Sequence, residues 1–127
     1  MSVGVRATTA VLVVSLVGCG SDGGDRVGTF DVHERSIAEL QAAMTAGEVT
    51  ARGLVEGYLR RIEAFDQGGP GLNAMVLLNP EALARADELD AERAAGQLRG
   101  PLHGIPVVIK DTYDTADMAT SAGAIGL

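Results

Sequence analysis

Tryptophan is absent from the 127-residue chain, and only two phenylalanines and two tyrosines are present. A core must therefore be assembled mainly from Ala, Leu, Val and Ile, which bury area by number and not by aromatic bulk. Grouped basic charge is also missing, because the ten Lys and Arg residues are scattered among seventeen Asp and Glu and leave a net charge of −7. Phosphate binding needs clustered cations, so this balance argues against a nucleic-acid partner. Cysteine occurs once, at Cys19, so no intramolecular disulfide can form. No apolar run reaches the ~20 residues that a membrane-spanning helix requires. With 46% of residues hydrophobic, the composition still lies in the globular range, and the length bounds the chain to one domain or a piece of one.

The N-terminal stretch MSVGVRATTAVLVVSLVGCGSDGGD has one arginine, an apolar segment over 10–17 and then small residues, the pattern of a secretory signal peptide. Its end, Leu16-Val17-Gly18-Cys19, resembles the lipobox of bacterial lipoproteins, in which the signal is removed before the cysteine and that cysteine carries the lipid. The plainer alternative is an ordinary cleaved signal with an incidental cysteine. The expected organisation is a lipoprotein signal peptide over 1–18, a flexible Gly/Ser/Asp-rich tether over 19–29, and a folded region over 30–127. Lipidation at Cys19 would anchor the protein to a bacterial membrane in the cell envelope; without it the product would be secreted.

Helical periodicity begins after Ser36, with Ile37, Leu40 and Met44 on one stripe and Ser36 and Glu39 at the spacing of a capping box. Gly47 suits the stop. Thr50 offers a second N-cap, and Leu54, Val55, Tyr58, Leu59 and Ile62 form a wide apolar face. Gly53 and Gly57 lie inside this helix, and their spacing suggests a close helix contact or chance. The run QGGPG at 67–71 breaks the pattern, and AMVLL at 74–78 has the length of a short strand. A third helix is expected with Asn79 as N-cap and Pro80 at the first helical position. Leu83, Ala86, Leu89 and Ala94 would face inward, Arg85, Glu88, Glu92 and Arg93 would stay wet, and Gly96 would end it. Helices alternating with short apolar runs indicate an α/β or α+β protein.

Most of the candidate chemistry reduces to structural roles. Asp87, Glu88, Asp90 and Glu92 spread around a helix as a solvated face more readily than they form a metal site. Asp111, Asp114 and Asp117 lack the ligand alternation of a calcium loop and suit turn capping. His33 and His103 lie far apart without ligand partners, which favours hydrogen-bonded structural histidines. Lys110 is different. It closes the apolar run Pro106-Val107-Val108-Ile109, where a lysine either snorkels, pairs with Asp111 on the surface, or does chemistry.

The run GPLHGIPVVIKDTYDTADMATSAG at 100–123 closely resembles the amidase-signature segment whose lysine completes a Ser-cisSer-Lys triad. Upstream, SIAELQAAMTAGEVTARGLVEGYLRRIEAFD and LNAMVLLNPEALARADELDAERAAG follow that family's N-terminal helices and connecting strand in order and spacing. The resemblance covers residues 30–127. It implies an α/β amidase-signature fold, a mixed β-sheet core surrounded by helices, of which this chain holds an N-terminal portion with helices and the catalytic-lysine strand. It implies hydrolysis of small-molecule or peptide amides by a serine nucleophile, with Lys110 as general base and no metal or cofactor. A base must be unprotonated, and desolvation by an apolar strand over 106–109 would favour that form. Asp111, pointing to the opposite strand face, takes a structural or orienting part. The family's Gly/Ser-rich signature, which carries both serines, is not found in these residues. Thr120, Ser121 and Gly123 match the loop after the lysine strand, so Ser121 is not the nucleophile. The chain ends in mid-pattern and is expected to be inactive alone. The family branch that amidates misacylated transfer RNA is disfavoured by the signal peptide and the acidic charge, and a homodimer is left open. The rival is an exported, lipid-anchored, noncatalytic helical binding module.

Overall fold

The structure, a computed structural model, describes residues 30–124. The expected signal peptide, Cys19 and the whole of the tether lie outside the described residues. Helix α1 spans Ile37–Ala46. It starts where the Ser36 hydroxyl accepts the Glu39 N–H at 3.3 Å and the Glu39 carboxylate accepts the Ser36 N–H at 2.8 Å, so two otherwise free amides are satisfied reciprocally. Gly47 ends it in the left-handed region at φ 73°. The buried side is Leu40, Ala43 and Met44, whereas Ile37 is 49% exposed. Periodicity marks the stripe's direction but not where its neighbour stops.

Helix α2 spans Ala51–Ile62 and α3 spans Ala82–Ala94, and the two pack along each other. Leu54, fully buried, sits at the centre of a small aliphatic core with Val32, Leu40, Met44, Val49 and Ala86. Burying such a leucine contributes about 1.5–3 kcal/mol. Thr50 caps α2 as expected, its hydroxyl accepting the Gly53 N–H at 3.0 Å. Two more first-turn amides are taken by another helix: Asp90 accepts the Ala51 N–H at 2.7 Å and the Arg52 N–H at 3.0 Å. Asp87 holds the Arg52 guanidinium at 2.6 Å, and Glu92 pairs with Arg99. The acidic surface of α3 is therefore not simply solvated, because the positive end of α2 lies within reach of its carboxylates. Asp90→Ala should cost about 1–2 kcal/mol, the range for a lost N-cap, and Asp90→Asn should cost less because one acceptor oxygen survives. Denaturant unfolding of the complete protein measures both, and an unchanged midpoint in Asp90→Ala would refute this tertiary cap.

Four further expectations are corrected. Gly57 makes room for a side chain, not a helix: a Cβ there would stand 3.0 Å from Val32 Cγ1, on the segment that precedes α1. Asn79 does not cap α3. Its side-chain oxygen accepts the Glu81 N–H at 2.8 Å in a turn through Pro80, and the helix begins at Ala82. Arg93 is not wet. Its Nη2 donates to Gln41 Oε1 at 2.8 Å and to the His103 carbonyl at 3.1 Å, which joins α3 to α1 and to the segment after α3. Ala94, expected inside, is exposed, while Gly96 ends α3 as expected at φ 74°.

The strands expected at 74–78 and 106–109 do not form among the described residues. A strand exists only through a ladder with a partner; neither segment has one among the described residues, and the Ala74 and Met75 amides bond the Asp66 carboxylate instead. After α2 the chain makes a π-helical turn, Glu63–Gln67, closed by the Gly68 N–H on the Glu63 carbonyl. The N–H groups of Leu72 and Asn73 then bond the carbonyls of Phe65 and Asp66 at 3.1 and 3.0 Å. Val107, Val108 and Ile109 are 64%, 76% and 48% exposed with no ladder beside them. The described region is thus a three-helix layer carrying two irregular apolar segments, and the expected sheet core is not seen in it.

Candidate active site

Lys110 is the only lysine of the chain; the other nine cationic side chains are arginines. Its position is set by an anchor seven residues earlier. His103 is 5% exposed, with Nδ1 accepting the Arg99 N–H at 3.2 Å and Nε2 2.9 Å from the Leu89 carbonyl. A ring carrying its hydrogen on Nε2 satisfies both contacts. The His103 carbonyl also accepts from Gln41 Nε2 at 2.9 Å and from Arg93. Gly104, buried at φ 78°, lies against Ala51 and Met44, and Ile105 packs on the core. From there the chain leaves the helical layer and reaches Lys110 after five residues. His103 therefore has the structural role expected of it, while the His33 side chain is exposed.

Lys110 lines an open groove of about 440 Å³. Residues 74–77 line it from one segment, and Ile109, Lys110, Tyr113 and Met118 line it from the other. The lysine is exposed, so the described residues do not supply the desolvation expected from an apolar strand. No ion pair among the described residues engages it, and the five present all belong to arginines. Asp111, the surface partner considered from sequence, faces elsewhere. Its carboxylate accepts the Ser121 N–H at 2.9 Å and the Ser121 hydroxyl at 2.5 Å, while its carbonyl accepts the Ala122 N–H at 3.0 Å. Without a strand, the rule of alternating faces does not apply to Lys110 and Asp111. The aspartate instead closes the loop that follows the lysine. Thr120 adds bonds to the Tyr113 carbonyl and to Asp114, and Asn79 reaches Asp117 at 2.8 Å. No group of acidic, histidine or cysteine side chains suited to a metal ion occurs among the described residues.

The clamp has a pH consequence. The hydrogen bond from the Ser121 hydroxyl, and then that from the Ser121 N–H, hold the Asp111 carboxyl below its ordinary value of 3.8. A carboxylate depressed on folding contributes stability that is complete above the unfolded value and is lost as pH falls through the folded one. The loop at 112–120 should therefore loosen only in acid, and Asp111→Asn should loosen it at neutral pH. Hydrogen exchange of the Ser121 amide, corrected for its intrinsic rate, reads this out in the complete protein; equal protection in Asp111→Asn would exclude the clamp.

The sequence did not single out Asp66, Gln41 or Arg93 for these tasks. Asp66 is 5% exposed and holds the segment opposite Lys110, with its carboxylate 2.6 Å from the Ala74 N–H and 3.3 Å from that of Met75. An aspartate directly before Gln-Gly-Gly is a turn-capping signal that could have found it. Gln41 and Arg93 carry no such local signal, because they meet across 52 positions of sequence.

Comparison with known proteins places this arrangement. Residues 53–127 match the family model described as Amidase. A glutamyl-tRNA(Gln) amidotransferase subunit from Halorhodospira halophila is 43% identical over 94 residues, which cover 73% of this chain and 19% of that protein. The solved native peptide amidase from Stenotrophomonas maltophilia is 54% identical with a TM-score of 0.72, over 75% of this chain and 20% of that one. An amidase family protein from Bacillus anthracis is 41% identical with a TM-score of 0.68, over 72% and 18%. The chain thus spans about a fifth of the length of relatives such as the Halorhodospira protein. Because the family model takes in more than half of the residues, including Lys110 and the loop that Asp111 closes, the chain belongs to the amidase family.

Proposed function

We propose that the complete enzyme hydrolyses carbon–nitrogen amide bonds, with Lys110 as general base of a Ser-cisSer-Lys mechanism whose two serines come from outside residues 30–124. The observation that carries this is the state of Lys110: the chain's one lysine lines a groove, free of any ion pair among the described residues, beside a loop pinned at its base. A cation kept for surface pairing would be engaged; a base must stay available. The unprotonated amine takes a proton from the bridging serine, which takes one from the nucleophilic serine as that oxygen adds to the amide carbonyl. The resulting oxyanion is stabilised by N–H donors, ammonia or an amine leaves with a proton, and water releases the acyl group. Peptide amides are the favoured substrates, in line with the 54% identity to the solved peptide amidase. Residues 19–127 alone catalyse nothing, because nucleophile, base and oxyanion donors must share one geometry. Ammonia release from a C-terminal peptide amide by the complete enzyme, lost in Lys110→Ala, is the test; turnover by residues 19–127 above their own Lys110→Ala control would contradict it.

The same protein is proposed to be exported and held in the cell envelope by lipid on Cys19. No helix among the described residues is long and apolar enough to cross a membrane. The proposed attachment is through acyl chains, several of which hold firmly where one holds marginally. Labelled fatty acid should enter the wild-type protein and not Cys19→Ala, which should leave the membrane fraction. Equal incorporation in both would end this proposal.

A further inference from the structure

We infer that Asp66 is a positioning residue for the wall of the Lys110 groove and thereby sets which amides the groove admits; this rests on the amidase reading above. Asp66 is 5% exposed, and no cation pairs with it among the described residues. A buried carboxylate without a counter-ion is retained only when hydrogen-bond donors replace water. They do so here: the N–H groups of Ala74 and Met75 and the side-chain amide of Gln67, at 2.7 Å, converge on its two oxygens. Four consecutive amides, from Leu72 to Met75, thus bond the π-helical turn, two through its carbonyls and two through this side chain. The carboxylate takes the place of a neighbouring strand and fixes the backbone direction of the segment as it enters the groove.

What that segment carries is the groove surface. Ala74, Met75, Val76 and Leu77 line the space whose other contributors include Ile109 and Lys110. Met75 follows directly from the two anchored amides, and its unbranched thioether can fill or vacate space at little cost. A shift of this wall changes the width beside Lys110 without touching the base. Asp66 therefore acts on substrate fit, through KM and selectivity, and leaves the proton-transfer step alone. A purely structural role would lower the amount of folded enzyme and move no ratio between substrates.

The test uses the complete enzyme and Asp66→Asn, which keeps the shape but turns one acceptor oxygen into a donor facing two N–H groups. Hydrogen exchange should rise about tenfold or more at residues 72–77 with α1 and α3 unchanged, the signature of a local opening. This readout stands whether or not the protein hydrolyses amides. The kcat/KM ratio between a bulky and a small peptide amide should shift about tenfold, mainly in KM, the scale of a modest pocket change. Met75→Ala should move the same ratio, and it keeps the question open to refutation if Asp66→Asn does not fold. Uniform loosening of all three helices, or an unchanged ratio in either variant, would overturn the inference. Absence of any amide turnover in the wild type, with the local exchange response intact, would instead count against the amidase reading alone.

Discussion

Lys110→Arg in the complete enzyme is expected to abolish amide hydrolysis as fully as Lys110→Ala, while leaving the fold unchanged. Arginine keeps the positive charge and the reach but cannot lose its proton at working pH, so the substitution separates base catalysis from charge pairing. Losing a general base costs about 10²–10⁴ in rate. The loss here should be larger, because the bridging serine would also lose the group that orients it and effects within such a unit do not partition. The fold should hold, since no ion pair among the described residues depends on the side chain. A surface ion pair predicts the reverse: arginine substitutes well and alanine costs about 0–1 kcal/mol. Near-normal ammonia release by Lys110→Arg eliminates the mechanism. That all other cations of the chain are arginine agrees with a position that needs a removable proton.

Gly104→Ala should be the most disruptive of the stability variants. At φ 78° the residue occupies left-handed backbone, which costs an L-residue about 1–2 kcal/mol. An added Cβ would also stand 3.0 Å from Ala51 Cβ and 3.3 Å from Met44 Sδ. The thioether can yield, but Ala51 is on the first turn of α2, where Asp90 holds its amide. Overpacking of a filled core adds about 1–3 kcal/mol, so a total of about 2–5 kcal/mol is expected. Adding Ala51→Gly should restore the steric share and not the conformational one, giving partial recovery. Because Gly104 opens the path to Lys110, the variant should also lose turnover beyond its loss of folded protein. Wild-type stability in Gly104→Ala would mean that the segment can be displaced freely, contrary to the packing at His103 and Gly104.

Features set within a few residues were legible in the order of the amino acids. Ser36 with Glu39, Thr50, Gly47 and Gly96 place helix ends because capping and left-handed termination act over three or four residues. The motif around Lys110 marked the family because it is contiguous. The tasks of polar side chains whose partners are distant in sequence emerged only in the folded chain. Asp90 looked like one charge on a wet helix until the start of α2 was found beside it. Arg93 became a junction for Gln41 and His103, and Asp66 took the amides of Ala74 and Met75. The segments at 74–78 and 106–109 have strand-like composition, yet composition cannot supply a partner, and a ladder is a property of two lengths of backbone. Periodicity follows from the geometry of one element, whereas burial, tertiary capping and strand pairing depend on which other element arrives next to it.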